Sequence, residues 1–161
     1  MGTSPYVMTY EGRFTFPVTP RVMWSVMAQT EQFAGWWSWL SDVHGDGPAL
    51  RDGSSLHGLV APPLPYRMHL DVVLDRCVDA QSIDASVRGD LVGPAHLLLE
   101  PDGGETRVTA AWSVEMMQPP MRVAARLAPR LLRWGHDRVV DAAVAGFRRH
   151  LVTDVARPTG S

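Results

Sequence analysis

The chain begins with apolar and polar side chains in alternation. Tyr6, Met8, Tyr10, Gly12, Phe14 and Phe16 share one side, and Thr9, Glu11, Arg13 and Thr15 the other. A period of two is that of a strand with one buried face. The pattern then changes. Thr19-Pro20 reads as a helix start, with threonine capping free amides and proline suited to the first turn. Val22, Met23, Val26 and Met27 form the apolar stripe of that helix. A second short helix, capped by Thr30, ends near Gly35 in the run Trp36-Trp37-Ser38-Trp39-Leu40.

Alternation returns faintly at 42–46, then firmly. Leu56, Gly58 and Val60 share a face, as do Met68, Leu70, Val72 and Leu74, then Ile83, Ala85 and Val87. Two longer runs follow. Gly93, Ala95, Leu97 and Leu99 point one way, and Val108, Ala110, Trp112, Val114 and Met116 point inward on the last strand. Pro101-Asp102-Gly103-Gly104 is a hairpin turn. Ala61-Pro62-Pro63-Leu64-Pro65 cannot continue a sheet, because its prolines lack amide donors.

From Pro119 the period becomes helical. Met121 to Ala128 is a short run that meets Pro129. Beyond it, Leu132, His136, Val139/Val140, Ala143, Phe147 and Leu151 recur three or four apart and share one face. Arg130, Arg133, Asp137, Asp141, Arg148 and Arg149 occupy the other. Short turns imply antiparallel neighbours, and a polar face on nearly every strand leaves one side of the sheet in water. The long helix must cover the other side. The expected fold class is α+β: a curved antiparallel sheet of six or seven strands around a long C-terminal helix, with two short helices after the first strand.

Composition narrows the function. A chain of 161 residues with 45% hydrophobic and 20% charged residues suits one globular domain. We assign 6–153 to it, with 1–5 and 156–161 as flexible termini. A net charge of −2 offers no basic field for nucleic acid. All 15 basic residues are arginine, so no lysine Schiff base can form. Cys77 is alone, which excludes a disulfide framework and a cysteine zinc site. Nothing resembles a leader or a membrane span, so the expectation is a cytoplasmic protein without stable membrane insertion.

The order of elements resembles the helix-grip fold of the SRPBCC superfamily, which includes START domains and birch-pollen-allergen-like proteins. Within it, the bacterial, actinobacterial polyketide cyclase/dehydrase-like branch is the nearer likeness. The residues that carry it are Pro17-x-x-Pro20-x-x-x-Trp24, Trp36-Trp37, Leu64-Pro65-Tyr66, Gly89-Asp90-Leu91-x-Gly93, Leu99-Glu100-Pro101-Asp102-Gly103-Gly104-x-Thr106 and Arg133-Trp134-x-His136-Asp137. That branch often has Asn where Gly135 stands here. The resemblance implies a cavity between sheet and long helix, holding a small hydrophobic molecule such as a lipid or polyketide-like compound. Small inner-face residues agree: Gly12, Gly58, Ala85, Gly93, Ala95, Ala110 and Ala143 either let the helix approach or leave a void.

The expected ligand-binding residues are therefore Tyr10, Gly12, Met68, Leu70, Val72, Ala85, Gly93, Ala95, Leu97, Ala110, Trp112, Val114, Leu132, Gly135, His136, Val139 and Ala143. Two of them could do chemistry. His136 lies on the helix's apolar stripe and could face the cavity to give or take a proton, though a buried histidine more often has a structural partner. Tyr10 offers an inward hydroxyl, which the protein itself could equally satisfy. A cyclase or dehydratase would use both on a poly-β-ketone. His57, His69, Asp71 and His96 have metal-ligating side chains, but their parity puts them on the solvated face, so neither a metal nor another cofactor is expected. Arg76 shares the parity of Met68 to Leu74, at the strand's end. The tryptophans at 36, 37 and 39 either guard a cavity mouth or anchor the second short helix onto the end of the sheet; anchoring is favoured, because adjacent residues on a helix cannot all face one site.

Overall fold

A computed structural model describes residues 4–46, 50–64 and 66–156 of the chain. Part of one expectation, the flexible termini, lies outside those residues. Seven strands form one antiparallel sheet: β1 (Val7–Phe16), β2 (Leu40–Asp46), β3 (Ser55–Val60), β4 (Met68–Val78), β5 (Ser82–Gly89), β6 (Leu91–Asp102) and β7 (Glu105–Met116). Their order is β1-β7-β6-β5-β4-β3-β2. β2 to β7 follow one another as neighbours, and β1 closes the far edge against β7. The one long crossover, from β1 to β2, carries α1 (Pro20–Met27), a single 3₁₀ turn at Thr30–Gln32 and α2 (Phe33–Trp36).

Local chemistry explains the element ends. The Thr19 hydroxyl accepts from the Val22 amide at the start of α1, with proline in its first turn. Buried Thr106 donates its hydroxyl to the Val18 carbonyl at 2.7 Å, fixing the exit from β1 against β7. After β7 the chain turns into α3 (Pro119–Leu127), stops at Ala128, and restarts as α4 (Pro129–Ala156), 28 residues long. Pro129 lacks the amide that would continue α3 and fits the first turn of α4.

The sheet wraps its apolar face around α4. One core cluster joins Phe16, Leu99 and Val108 of the sheet to Met23 and Val26 of α1 and Phe147 and Leu151 of α4. A second, at the other end, joins Val60, Met68 and Met116 to Met121, Ala125 and Leu132. The edge strand β1 has outward carbonyls, a liability for pairing with another chain. α4 covers two of them: Arg133 donates to Thr9 O at 3.3 Å and Arg148 to Thr15 O at 3.0 Å.

One parity changes along β4. The register shifts between Leu74 and Arg76, so Arg76 pairs with Asp84 and is exposed, while Cys77 pairs with Ile83 and packs inward. A bulge of this kind exchanges the faces beyond it. Arg76 is therefore solvated and is no part of the inner surface.

Candidate functional site

Between the two core clusters the sheet and α4 stand apart except where Trp112 of β7 meets His136 of α4. They enclose a cavity of about 530 Å³, within the range of small-molecule sites. Its floor is formed by inward residues of β1 and of β3 to β7, its roof is α4, and Met23, Met27, Phe33, Trp37 and Trp39 close one side. The lining is apolar almost throughout; its hydrogen-bonding side chains are Tyr66, His136 and the indoles of Trp37, Trp39 and Trp112.

Twelve of the expected ligand-binding residues line this cavity: Met68, Leu70, Val72, Ala95, Leu97, Ala110, Trp112, Val114, Leu132, His136, Val139 and Ala143. Five do not, and each has a physical reason. The Tyr10 ring folds over Gly12, occupying the position a Cβ would take there, so that gap is filled by protein. Gly93 backs onto the carbonyl of Ser113 across the sheet. Gly135 is covered by the Leu64 side chain, so the close approach there comes from the proline loop. Ala85 is buried among Leu50, Leu74 and Ile83, and its methyl is too short to reach the void. Tyr10 stacks flat on Trp112, with centroids 4.6 Å apart and planes at 29°, behind the cavity wall.

His136 sits at the meeting of wall and roof, with its side chain 15% exposed. The Trp112 indole donates to Nε2 at 3.1 Å. An indole N–H can only donate, so Nε2 is the unprotonated nitrogen and the ring proton lies on Nδ1. Nδ1 then donates to Asp137 Oδ1 at 3.1 Å. Carboxylate, imidazole and indole form one ordered chain, and the Tyr10 ring packs 5.0 Å from the imidazole. The Tyr10 phenol is pushed above its usual pKa by burial, with the Asp137 and Asp141 charges adding to the effect, so it is a neutral hydrogen-bonding group at pH 7. Burial alone does the same for Tyr66, on the cavity wall.

The tryptophan cluster divides its work. Trp36 packs on α4, 4.2 Å from the His150 ring and 5.7 Å from Phe147. Trp37 donates its indole N–H to the Ala143 carbonyl at 2.9 Å. The anchor is thus α4, not the end of the sheet. Gly146 makes it possible, since a Cβ there would meet the Trp36 carbonyl and the Trp37 ring, both at 2.7 Å. Trp37 leaves α2 in extended conformation, so Trp39 stacks beside it at 5.4 Å and both rings reach the cavity. Sequence reasoning missed Tyr66 as a wall residue, and for Trp37 and Trp39 it ranked the cavity reading below anchoring. Tyr66 follows a loop that breaks the strand pattern, and the turn from Trp37 to Leu40 has no signal in a run of aromatics.

On the solvated face His57 bonds Asp71 at 2.5 Å and His96 bonds Asp84 at 2.7 Å across neighbouring strands. Among the described residues no group of three or more His, Cys, Asp or Glu side chains could hold a metal, and no helix is long and apolar enough to cross a membrane.

No family model matches the chain, and no curated protein matches it. Solved structures do. The Zhui aromatase/cyclase from Streptomyces sp. R1128 superposes with a TM-score of 0.75 at 12% identity, over 96% of this chain and 99% of that one. The di-domain aromatase/cyclase BexL of the BE-7585A biosynthetic pathway gives 0.71 at 13% identity, over 96% of this chain and 52% of that one. Ara h 8.0201 gives 0.67 at 12% identity, over 91% and 99%. At such identities the likeness is one of fold. The chain has the helix-grip fold that its resemblance to the SRPBCC superfamily implied, and shares it with these two aromatase/cyclases.

Proposed function

We propose that this protein binds a small hydrophobic molecule, of lipid or polyketide-like character, in the cavity under α4. The observation that carries this reading is an apolar void of about 530 Å³ in the middle of the core. A void forfeits dispersion contacts, and at roughly 24 cal/mol per Å³ an empty cavity of this size would be a heavy cost to stability. An apolar ligand restores those contacts and gains about 25 cal/mol for each Å² of apolar surface it buries. The few polar lining groups would orient one end of the ligand: the Tyr66 hydroxyl, and the edge of the Trp112–His136 pair. A ligand with a single carbonyl or hydroxyl on an otherwise apolar frame matches that distribution. Dodecane, stearate and a flat polycyclic quinone, each titrated against the protein in a thermal-shift assay, test the reading. A rise in melting temperature with one of them supports it; no response to any, with no small molecule co-purified, opposes it.

A second reading has its own support. The most chemically capable groups, Tyr10, His136 and Asp137, adjoin one another, and aromatase/cyclases share the fold. As a cyclase or dehydratase, the protein would hold a poly-β-ketone bent in the cavity, while His136 and Tyr10 moved protons for aldol closure and loss of water. It ranks second because the Nε2 lone pair a general base needs is engaged by Trp112, and because Tyr10 lies behind the wall. Incubation with a poly-β-ketone, analysed for cyclised product, tests it. Full activity in a His136→Ala/Tyr10→Phe variant would remove both residues from the mechanism.

A further inference from the structure

The outer surface of α3 and of the first turns of α4 has a composition unlike the rest of the protein. Leu127 is 80% exposed, Val123 55%, Leu131 49% and Trp134 47%. Exposed leucines occur singly on any surface, but these four follow one another at spacings of four, four and three residues across the α3–α4 corner. They face away from Met121, Ala125 and Leu132, which are buried. The apolar residues of this corner thus lie on both sides of it, and only the inner set is covered by protein.

Charge is distributed to match. From Met116 to His136 the chain carries Arg122, Arg126, Arg130 and Arg133 and none of its 17 acidic residues. Arg126, Arg130 and Arg133 are exposed. Arg122 is held, donating to the Met116 carbonyl at 2.8 Å and lying over the Tyr6 ring. The carboxylates that border the patch are engaged: Glu115 pairs with Arg122 at 3.6 Å and Asp137 accepts from His136. A protein of net charge −2 therefore concentrates positive charge around its most exposed apolar side chains.

We propose that the α3–α4 corner is a docking surface for an anionic lipid bilayer. Two short amphipathic elements would lie in the interface, with Val123, Leu127, Leu131 and Trp134 entering the acyl boundary and the arginines at headgroup level. Trp134 is of the type favoured at that depth. Charge complementarity selects an anionic surface, and the forward apolar side chains select a bilayer over an acidic protein, which would need charged partners more than an oily face. The placement has a consequence for the cavity. Met121 and Leu132, on the inner side of the same helices, line it, so docking brings the bilayer next to one end of the void. The inference does not depend on the cavity's occupant, and its test measures lipid-surface binding alone.

The test is co-flotation with vesicles of three parts phosphatidylcholine to one part phosphatidylserine, against vesicles of phosphatidylcholine only. The wild-type protein is expected to float with the phosphatidylserine vesicles at low salt and to be released at high salt. Arg126→Gln and Arg130→Gln should each weaken binding roughly five-fold, and Leu127→Asp should abolish it. All three positions are exposed, so melting temperatures should stay near wild type, and either arginine variant suffices if Leu127→Asp folds poorly. Failure of the wild-type protein to float, or flotation indifferent to the arginine variants and to salt, would overturn the proposal. So would retention on an immobilised acidic polypeptide without any binding to vesicles, which would make the corner a protein interface.

Discussion

The Trp112–His136 hydrogen bond allows a quantitative test, because each partner can be replaced by an apolar side chain of similar or smaller size. Trp112→Phe leaves Nε2 of His136 without its donor. His136→Leu leaves the indole N–H without its acceptor. The pair is partly buried, so each single change should cost about 1–2 kcal/mol: the hydrogen bond plus part of the desolvation of the group left behind. Trp112→Phe also loses packing against Tyr10, whose ring lies on the indole. In the double variant no polar atom is stranded, so its cost should fall short of the summed singles by about 1 kcal/mol. Urea denaturation of the four proteins measures this difference, and independent sites would add within about 0.3–0.5 kcal/mol. Additive costs inside that margin would refute the bond as a structural unit, and with it the inferred Nδ1–H tautomer that occupies the lone pair of His136.

Other outcomes follow from single contacts. Gly146→Ala should destabilise the protein by about 1–3 kcal/mol, because the new methyl meets the backbone carbonyl of Trp36. Gly135→Ala should cost less, because the atoms its methyl would meet, Cδ1 and Cγ of Leu64, belong to a flexible side chain that can turn aside while helix propensity improves by up to about 1 kcal/mol; thermal melts should place Gly135→Ala above Gly146→Ala. Ala110→Leu directs a larger side chain into the void from the floor, and should reduce ligand uptake in the thermal-shift assay while leaving the ligand-free melting temperature equal or higher. Tyr10 and Tyr66 have raised pKa values in the folded protein. Folding therefore holds their protons more tightly than the unfolded chain does, and stability should be level through neutrality and fall as pH rises above about 10. Absorbance titration of the phenolates, compared with Tyr66→Phe, checks the direction; tyrosines that all titrate at the ordinary value would contradict it.

Much of the fold was legible because its signals are periodic. The β7 set from Val108 to Met116 and the β4 set from Met68 to Leu74 alternate without interruption, and both faces came out as read. The break before Pro129 placed the α3–α4 corner correctly. β2 was faint for a physical reason: Asp42 has a left-handed φ of 51° and the register slips between Ser41 and His44, which scrambles alternation. Arg76 is solvated, as arginine at a strand's end usually is, because the bulge after Leu74 takes it off the inner parity it shares with Met68 to Leu74.

The cavity wall was less legible than the sheet. Period assigns a residue to a face, but says nothing of what its neighbours do with the space. Gly12 and Gly135 sit beside the expected void, yet Tyr10 and Leu64 cover them, and such contacts come from distant or irregular segments. Trp112 and His136 are separated by 24 residues and meet only because β7 and α4 cross there. The exposed tryptophan has no signal of its own in the sequence: the dense cluster at 36–39 is half-buried, whereas Trp134 stands on the solvent side of α4.

The central claim is that the void under α4 is a place for a small hydrophobic molecule. Native mass spectrometry of freshly purified protein, followed by denaturing extraction, tests it most directly. The account predicts a bound species of small-molecule mass that is released on unfolding and is diminished in Ala110→Leu. A native mass equal to that of the bare chain, together with no uptake of any apolar compound offered in excess, would contradict it.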